Sequence, residues 1–254
     1  LRAKEGDLGL ARVPTVRLME LTEGIGVDRH QFTDLFKVTS APARYPIVYS
    51  GKESVRTSML VTPNAFAEPT DVQAAQRAWG SYSSRLLLPD RLRLNHAHVL
   101  ALYSQQPTMS NMFYSARLQA SELQEVQEKA LALWLNTSWG ILTFLLDREE
   151  TEGAWVQMKI GHWRLHKVID VRAISADALS RLAKAFDQVA RKQPRRLPDQ
   201  FAPGNVDPVR LEIDLLFLKA LQPELAEDRA RKDLESLYER LHIALSRWFG
   251  RALS

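Results

Sequence analysis

The chain contains no cysteine. Disulfide frameworks, thiolate metal sites and cysteine nucleophiles are excluded, and the composition fits a reducing, cytoplasmic compartment. Runs of membrane-spanning length are also missing. The strongly apolar stretch ALWLNTSWGILTFL at residues 132–145 is too short, and Asn136, Thr137 and Ser138 interrupt it. No signal peptide precedes Leu1, and the lack of an initiating Met predicts a fragment of something longer. Phosphate-binding glycine loops are absent, because Gly24-Ile25-Gly26 is too small a piece of one. His96 and His98 would share a strand face, but no third metal ligand accompanies them. His162 and His166 have helical ligand spacing, yet Gly161 and the β-branched residues that follow argue against a helix there. No Ser-His-Asp arrangement is signalled. Asn136-Thr137-Ser138 spells a glycosylation sequon, which without a secretory context is a chance match. Glu149, Glu150 and Glu152 read as a solvated acidic loop.

What is present describes a globular chain of 254 residues, 45% hydrophobic and 25% charged. The net charge of +4 is mildly basic and permits an anionic partner such as nucleic acid. The charge is uneven: RKQPRR at 191–196 puts four cations into six residues. That run is either a solvated loop or a phosphate contact.

Patterning predicts an α+β fold, with a sheet-rich body to about residue 172 followed by helices. RVPTVRLMEL reads as a strand, GIGVD as a turn and HQFTDLF as a short helix. PIVYS and SVRTSMLV read as strands joined by a hairpin turn at Gly51-Lys52. Thr70 and Gln73 make a capping box for a helix ending at Gly80, and Ser121 and Gln124 make another. RLLLP and RLRLNHAHVLALYS read as strands with a break near Asn95-His96, and a polar turn at Pro107–Asn111 precedes the strand MFYSARL. Leu123, Val126, Ala130, Leu131 and Trp134 form a helical stripe that runs into Asn136, with a further short helix expected beyond Gly140. WVQMK and HKVIDVRA read as strands. Ser175 caps the clearest amphipathic helix, and Asp207-Pro208 gives an N-cap followed by Pro at the first helical position. A long helix with Leu234, Leu237, Tyr238, Leu241, Leu245 and Trp248 on its apolar face closes the chain and is expected to pack on the body.

Several of these segments together resemble the target-recognition region of N6-adenine DNA methyltransferases of the type IIG and phage-defence kind. The resemblance is carried by EKALALWLNTSWGILTFL, Arg148, TEGAWVQMK and HKVIDV, the last lacking the proline usual in that strand. RLLLPDRLRLNHAHVLAL, YPIVYSG, LVTPNAF and DPVRLEIDLLFLKAL agree with it, the last through Asp207, Arg210 and Asp214. It covers residues 45–221 and extends to the specificity subunits of type I restriction systems. It implies a mixed β-sheet body of target-recognition type with packed helices over residues 1–200, and a C-terminal helical extension over 201–254. The family's Asn-Pro-Pro-Tyr loop for the flipped adenine and its Gly-rich loop for S-adenosylmethionine are both missing here. The resemblance places them N-terminal to Leu1. This chain is then not expected to transfer methyl groups alone and holds no cofactor itself.

The resulting expectation is a module that reads double-stranded DNA while a methyltransferase domain of the same parent chain does the chemistry. Arg and Asn suit bidentate contacts to guanine and adenine, and Lys and Arg suit phosphates. The candidate DNA-binding residues are Lys52, Arg56, Arg91, Arg93, Asn95, Ser110, Asn111, Arg148 and Lys159. The competing class is a protein-interaction scaffold of a larger modification or defence complex, with no DNA contact. No catalytic or metal-binding residue is assigned.

Overall fold

The computed structural model describes residues 13–49, 56–147, 149–150 and 155–252, including all their side chains except those of Glu150 and residues 247–252. The fold is α+β, as the patterning predicts. The first half of the chain is mostly strand: β1 (Thr15–Arg17), β2 (Thr22–Gly26), α1 (Arg29–Leu35), β3 (Phe36–Thr39), β4 (Tyr45–Val48), β5 (Leu60–Val61), β6 (Ala65–Pro69) and α2 (Val72–Tyr82). Then come β7 (Ser84–Pro89), β8 (Arg91–Arg93), β9 (Leu102–Ser110) and β10 (Phe113–Leu118). The remainder is mostly helical: α3 (Gln124–Leu135), α4 (Ser138–Asp147), β11 (Glu149–Glu150), β12 (Trp155–Gln157), α5 (Ile160–Leu165), β13 (Lys167–Ile169), α6 (Ala176–Val189), α7 (Pro208–Leu221) and α8 (Glu227–Ala252).

A mixed eight-stranded sheet runs β2-β10-β7-β9-β4-β6-β3, with β5 on β9 beside β4. Most pairs are antiparallel, but β4 and β5 both lie parallel to β9. The expected hairpin between PIVYS and SVRTSMLV is therefore replaced by two strands on one edge of β9. Its turn residues Gly51 and Lys52 lie outside the described residues. GIGVD is likewise part of a strand rather than a turn. A Cβ at Gly24 or Gly26 would lie 3.2 or 3.1 Å from the Tyr82 ring, so these glycines let β2 pass close under α2. Two smaller sheets, β1-β13 and β11-β12-β8, flank the main one.

Local signals chose two helix starts correctly. The Ser175 hydroxyl accepts from the Ala178 amide at the start of α6, and the Asp207 carboxylate accepts from the Val209 amide at the start of α7. The two capping boxes read otherwise. Asp71 caps α2 by accepting from Gln73 and Ala74, while the Thr70 hydroxyl donates to the Asp34 carbonyl, and Gly80 lies inside the helix. Helix α3 has no side-chain cap, and the Ser121 hydroxyl donates to Gln127. Strand β9 runs through Pro107, so the polar turn shrinks to Asn111-Met112. Residues 160–165, where His162 sits, are a helix after all, because the buried Trp163 anchors them through its indole N–H on the Pro89 carbonyl (2.9 Å). Packing here outweighs a modest glycine penalty.

One large apolar cluster joins β2, β7, β9 and β10 to α3, α4, α6, α7 and α8. A smaller one, built on Phe32, Phe36, Tyr45 and Ile47, sits between α1, α2 and the β3-β6-β4 edge. Among the described residues no single helix is long and apolar enough to cross a membrane. The apolar pair α3 and α4 is bent by 73° between Leu135 and Ser138, and its residues 130–141 are buried in the main core.

That bend is a tied corner. The Asn136 side chain accepts from the Leu100 amide (2.7 Å) and the Ala101 amide (3.3 Å), and donates to the carbonyls of Ala101 (2.8 Å) and Ala132 (2.9 Å). Thr137 caps α4 by accepting from the Gly140 amide at 3.1 Å. Asp214 of α7 accepts from both the amide (2.8 Å) and the hydroxyl (2.5 Å) of Ser138, and from the Tyr238 hydroxyl of α8 (2.8 Å). A carboxylate at the N-terminus of α4 also suits its dipole. Burial pushes the Asp214 carboxyl up, against the pull of the neighbouring Arg210. Arg210, itself buried, donates to the Asn136 carbonyl and to Gln200. The polar interruption is thus the joint between strand entry, helical corner and C-terminal helices.

Candidate nucleic-acid interface

Strand β8 alternates Arg91 out, Leu92 in, Arg93 out, as period-two geometry requires. It pairs antiparallel with β12 in the register Arg93↔Trp155, Leu92↔Val156 and Arg91↔Gln157. Leu92 and Val156 are fully buried, so Arg91, Arg93, Trp155 and Gln157 share the opposite face. Both arginines are exposed, and neither has an ion-pair partner among the described residues. β11 extends the ladder with Glu149 opposite Gln157.

Asp90, between β7 and β8, ties this small sheet to the large one. Its carboxylate accepts from the Tyr114 hydroxyl of β10 (2.7 Å) and from the Gln157 amide of β12 (3.3 Å). Its carbonyl accepts from the Met158 amide at 2.9 Å. Burial together with the carboxylate beside it pushes the Tyr114 hydroxyl up, so it remains a donor. Phe113 pairs with Pro89, which brings the Asn111-Met112 turn to the same corner. The Arg56 guanidinium stacks over the Phe113 ring at 4.7 Å, with burial lowering it to about 10 and Asp90 opposing that shift. Arg56 remains a cation at neutral pH.

The corner therefore gathers most of the sequence-derived candidates. Arg91 and Arg93 are on its outer face, and Asn95 follows in the turn after β8. The Asn95 Oδ1 is buried and accepts no hydrogen bond among the described residues. Lys159 is exposed one residue beyond Met158 and pairs with Glu149 at 3.0 Å, an acid it shares with His162 at 3.5 Å. Arg56 is half-buried in its stack on Phe113. Ser110 is buried, and its hydroxyl accepts from the Met112 amide, so it shapes the turn while Asn111 is half-buried beside it. Lys52 and Arg148 lie outside the described residues.

The basic run joins the same neighbourhood. The His98 ring is 2.6 Å from the Pro194 carbonyl, and the Leu197 amide donates to the Ala97 carbonyl at 2.8 Å. Residues 194–197 thus lie along the chain just after Asn95. Lys192 is engaged by Glu212 and Arg195 by the Asn205 carbonyl, while Arg196 is exposed.

Asp90, Trp155 and Gln157 were not among the candidates. Their part depends on a pairing between residues 91–93 and 155–157 that no local pattern announces. Among the described residues no cluster of three metal-ligand side chains occurs.

No protein family and no curated protein matches this chain. Among solved structures, the fold is similar to part of the crystal structure of the type IIG restriction endonuclease BpuSI. The TM-score is 0.54 at 12% identity, over 92% of this chain and 32% of that one. The chain spans about a third of that protein's length, and the likeness is one of fold.

Proposed function

We propose that this chain is the DNA-recognition module of a restriction–modification protein, with duplex DNA held against the face of β8 and β12. The observation that carries this reading is the row of Arg91 and Arg93 on a paired ladder, continued by Asn95 and the 191–196 run. The likeness to part of a type IIG enzyme supports it at the level of fold.

In this reading Arg91, Arg93, Arg196 and Lys159 neutralise phosphates or reach guanine edges, and Asn95 offers its side-chain N–H donors to a base edge. Asp90, Tyr114 and Arg56 do not touch DNA; they hold the small sheet at a set angle to the large one. Target-base extrusion and methyl transfer from S-adenosylmethionine belong to a methyltransferase domain elsewhere in the same longer protein. Lys159 must exchange Glu149 for a phosphate, an exposed pair worth at most ~1 kcal/mol.

The test is fluorescence anisotropy of labelled duplexes across a salt series. Log affinity should fall linearly with log salt, at about 0.9 per neutralised phosphate. The double variant Arg91→Ala/Arg93→Ala should lower the magnitude of that slope by about two units if both contact phosphate. A flat salt dependence of the unaltered chain would overturn the DNA reading in favour of a protein-binding face.

A further inference from the structure

Trp155 stands apart from the other tryptophans whose side chains are described. Trp134, Trp139 and Trp163 are buried and Trp79 is half-buried, whereas Trp155 is 43% exposed. It sits on the outer face of β12, directly opposite Arg93 and two residues from Gln157, which faces Arg91. Val156 and Leu92 fix that face by turning into the core between them. The indole is thus presented on a paired ladder that Asp90 ties down through the Gln157 side chain and the Met158 amide.

Within an intact duplex only base edges are accessible from the grooves, because each base face is covered by its neighbour. A planar aromatic group on the outer face of a sheet finds a complementary surface in a base that has left the stack or lost its neighbour. Charge complements shape here. Arg93 lies directly opposite the indole and Arg91 two residues along on the same face, so two exposed cations with no ion-pair partner among the described residues flank it.

We propose that Trp155 stacks on an unstacked base, so that the chain binds DNA carrying a locally opened base pair in preference to an intact duplex. The proposal rests on the DNA reading above. It gives that reading a substrate class: duplex with one nucleotide out of the stack, held open by Trp155 and clamped through its phosphates by the flanking cations.

The experiment compares two labelled probes, an intact duplex and the same duplex with a single abasic site. The unaltered chain should bind the abasic probe roughly ten-fold tighter, within the range of one base–aromatic stack. Trp155→Ala should bring the affinity for the abasic probe down to that for the intact duplex. Trp155→Phe should restore most of the difference, and Arg91→Ala/Arg93→Ala should weaken both probes together. Equal binding of both probes by the unaltered chain, or a preference that survives Trp155→Ala, would overturn the stacking role while leaving DNA recognition standing. Failure to bind either probe would overturn both.

Discussion

Replacing Asn136 with Ala tests whether the helical corner is held by one amide. The side chain makes four hydrogen bonds in a fully buried setting, two accepted from Leu100 and Ala101 and two donated to Ala101 and Ala132. Truncation strands two backbone N–H groups and takes a partner from two carbonyls. Each buried group left unsatisfied costs about 1–3 kcal/mol. The two donors alone set a range of about 2–6 kcal/mol, and relief of the amide's own desolvation brings the expectation to about 4 kcal/mol. That is a large share of a typical stability of about 5–15 kcal/mol. Urea unfolding followed by tryptophan fluorescence should show the midpoint falling by about 1.3 M at a slope near 3 kcal/mol/M, with the slope unchanged. A loss below ~1 kcal/mol would refute the reasoning, because it would mean that the 73° corner stands without the amide.

Gly140→Ala should destabilise by about 3 kcal/mol, the upper end of overpacking, since its Cβ would lie 2.2 Å from the Trp134 carbonyl oxygen and 2.8 Å from Leu135 backbone atoms. Gly161→Ala, which meets nothing within 4 Å in α5, should instead be neutral or stabilising by about 0.5 kcal/mol, and paired urea melts separate the two. Glu128, buried beside Arg85 at 3.3 Å, has its carboxyl pushed up by burial, an effect that Arg85 opposes. A folded-state value above the unfolded one gives stability that is full below the unfolded value and lost as pH rises through the folded one. Relative to Glu128→Gln, the unaltered chain should therefore lose stability as pH rises from about 4 toward neutrality; a difference that stays constant or grows would contradict the burial argument.

How much was legible beforehand depends on the distance over which each feature is determined. Ser175 and Asp207-Pro208 announce their helices because a cap and its amides lie within one turn. Asn136-Thr137-Ser138 was legible as a break for the same reason. What holds the break was not, since Asp214, Arg210 and Tyr238 arrive from helices more than seventy residues later. The resemblance that singles out Asp207, Arg210 and Asp214 has a physical counterpart: the first starts α7, and the other two grip the corner. Gly24 and Gly26 misled because a glycine allowing close approach of a tyrosine ring looks, in one dimension, like a glycine allowing a turn. Residues 160–165 misled because Trp163 supplies packing that propensity does not contain. Arg91, Arg93 and Asn95 could be picked out as basic and amide groups on a strand and its turn. Trp155 could not, because its exposure is decided by which face of β12 the β8 pairing buries.

The two parallel partners of β9 carry an evolutionary consequence. β4 joins its C-terminal half at Met109 and Ser110, and β5 joins its N-terminal half at Tyr103 and Ser104. The chain between Val48 and Leu60 therefore departs from and returns to one edge of one strand, moored at Tyr49 by Asn64 and at Met59 by the Tyr103 amide. Lengthening a connection anchored this way costs only about 0.6 kcal/mol per doubling. A lineage can thus lengthen the link between Tyr49 and Arg56 as long as Arg56 keeps its stack on Phe113 and Met59 its place in the core, since these two hold the returning strand.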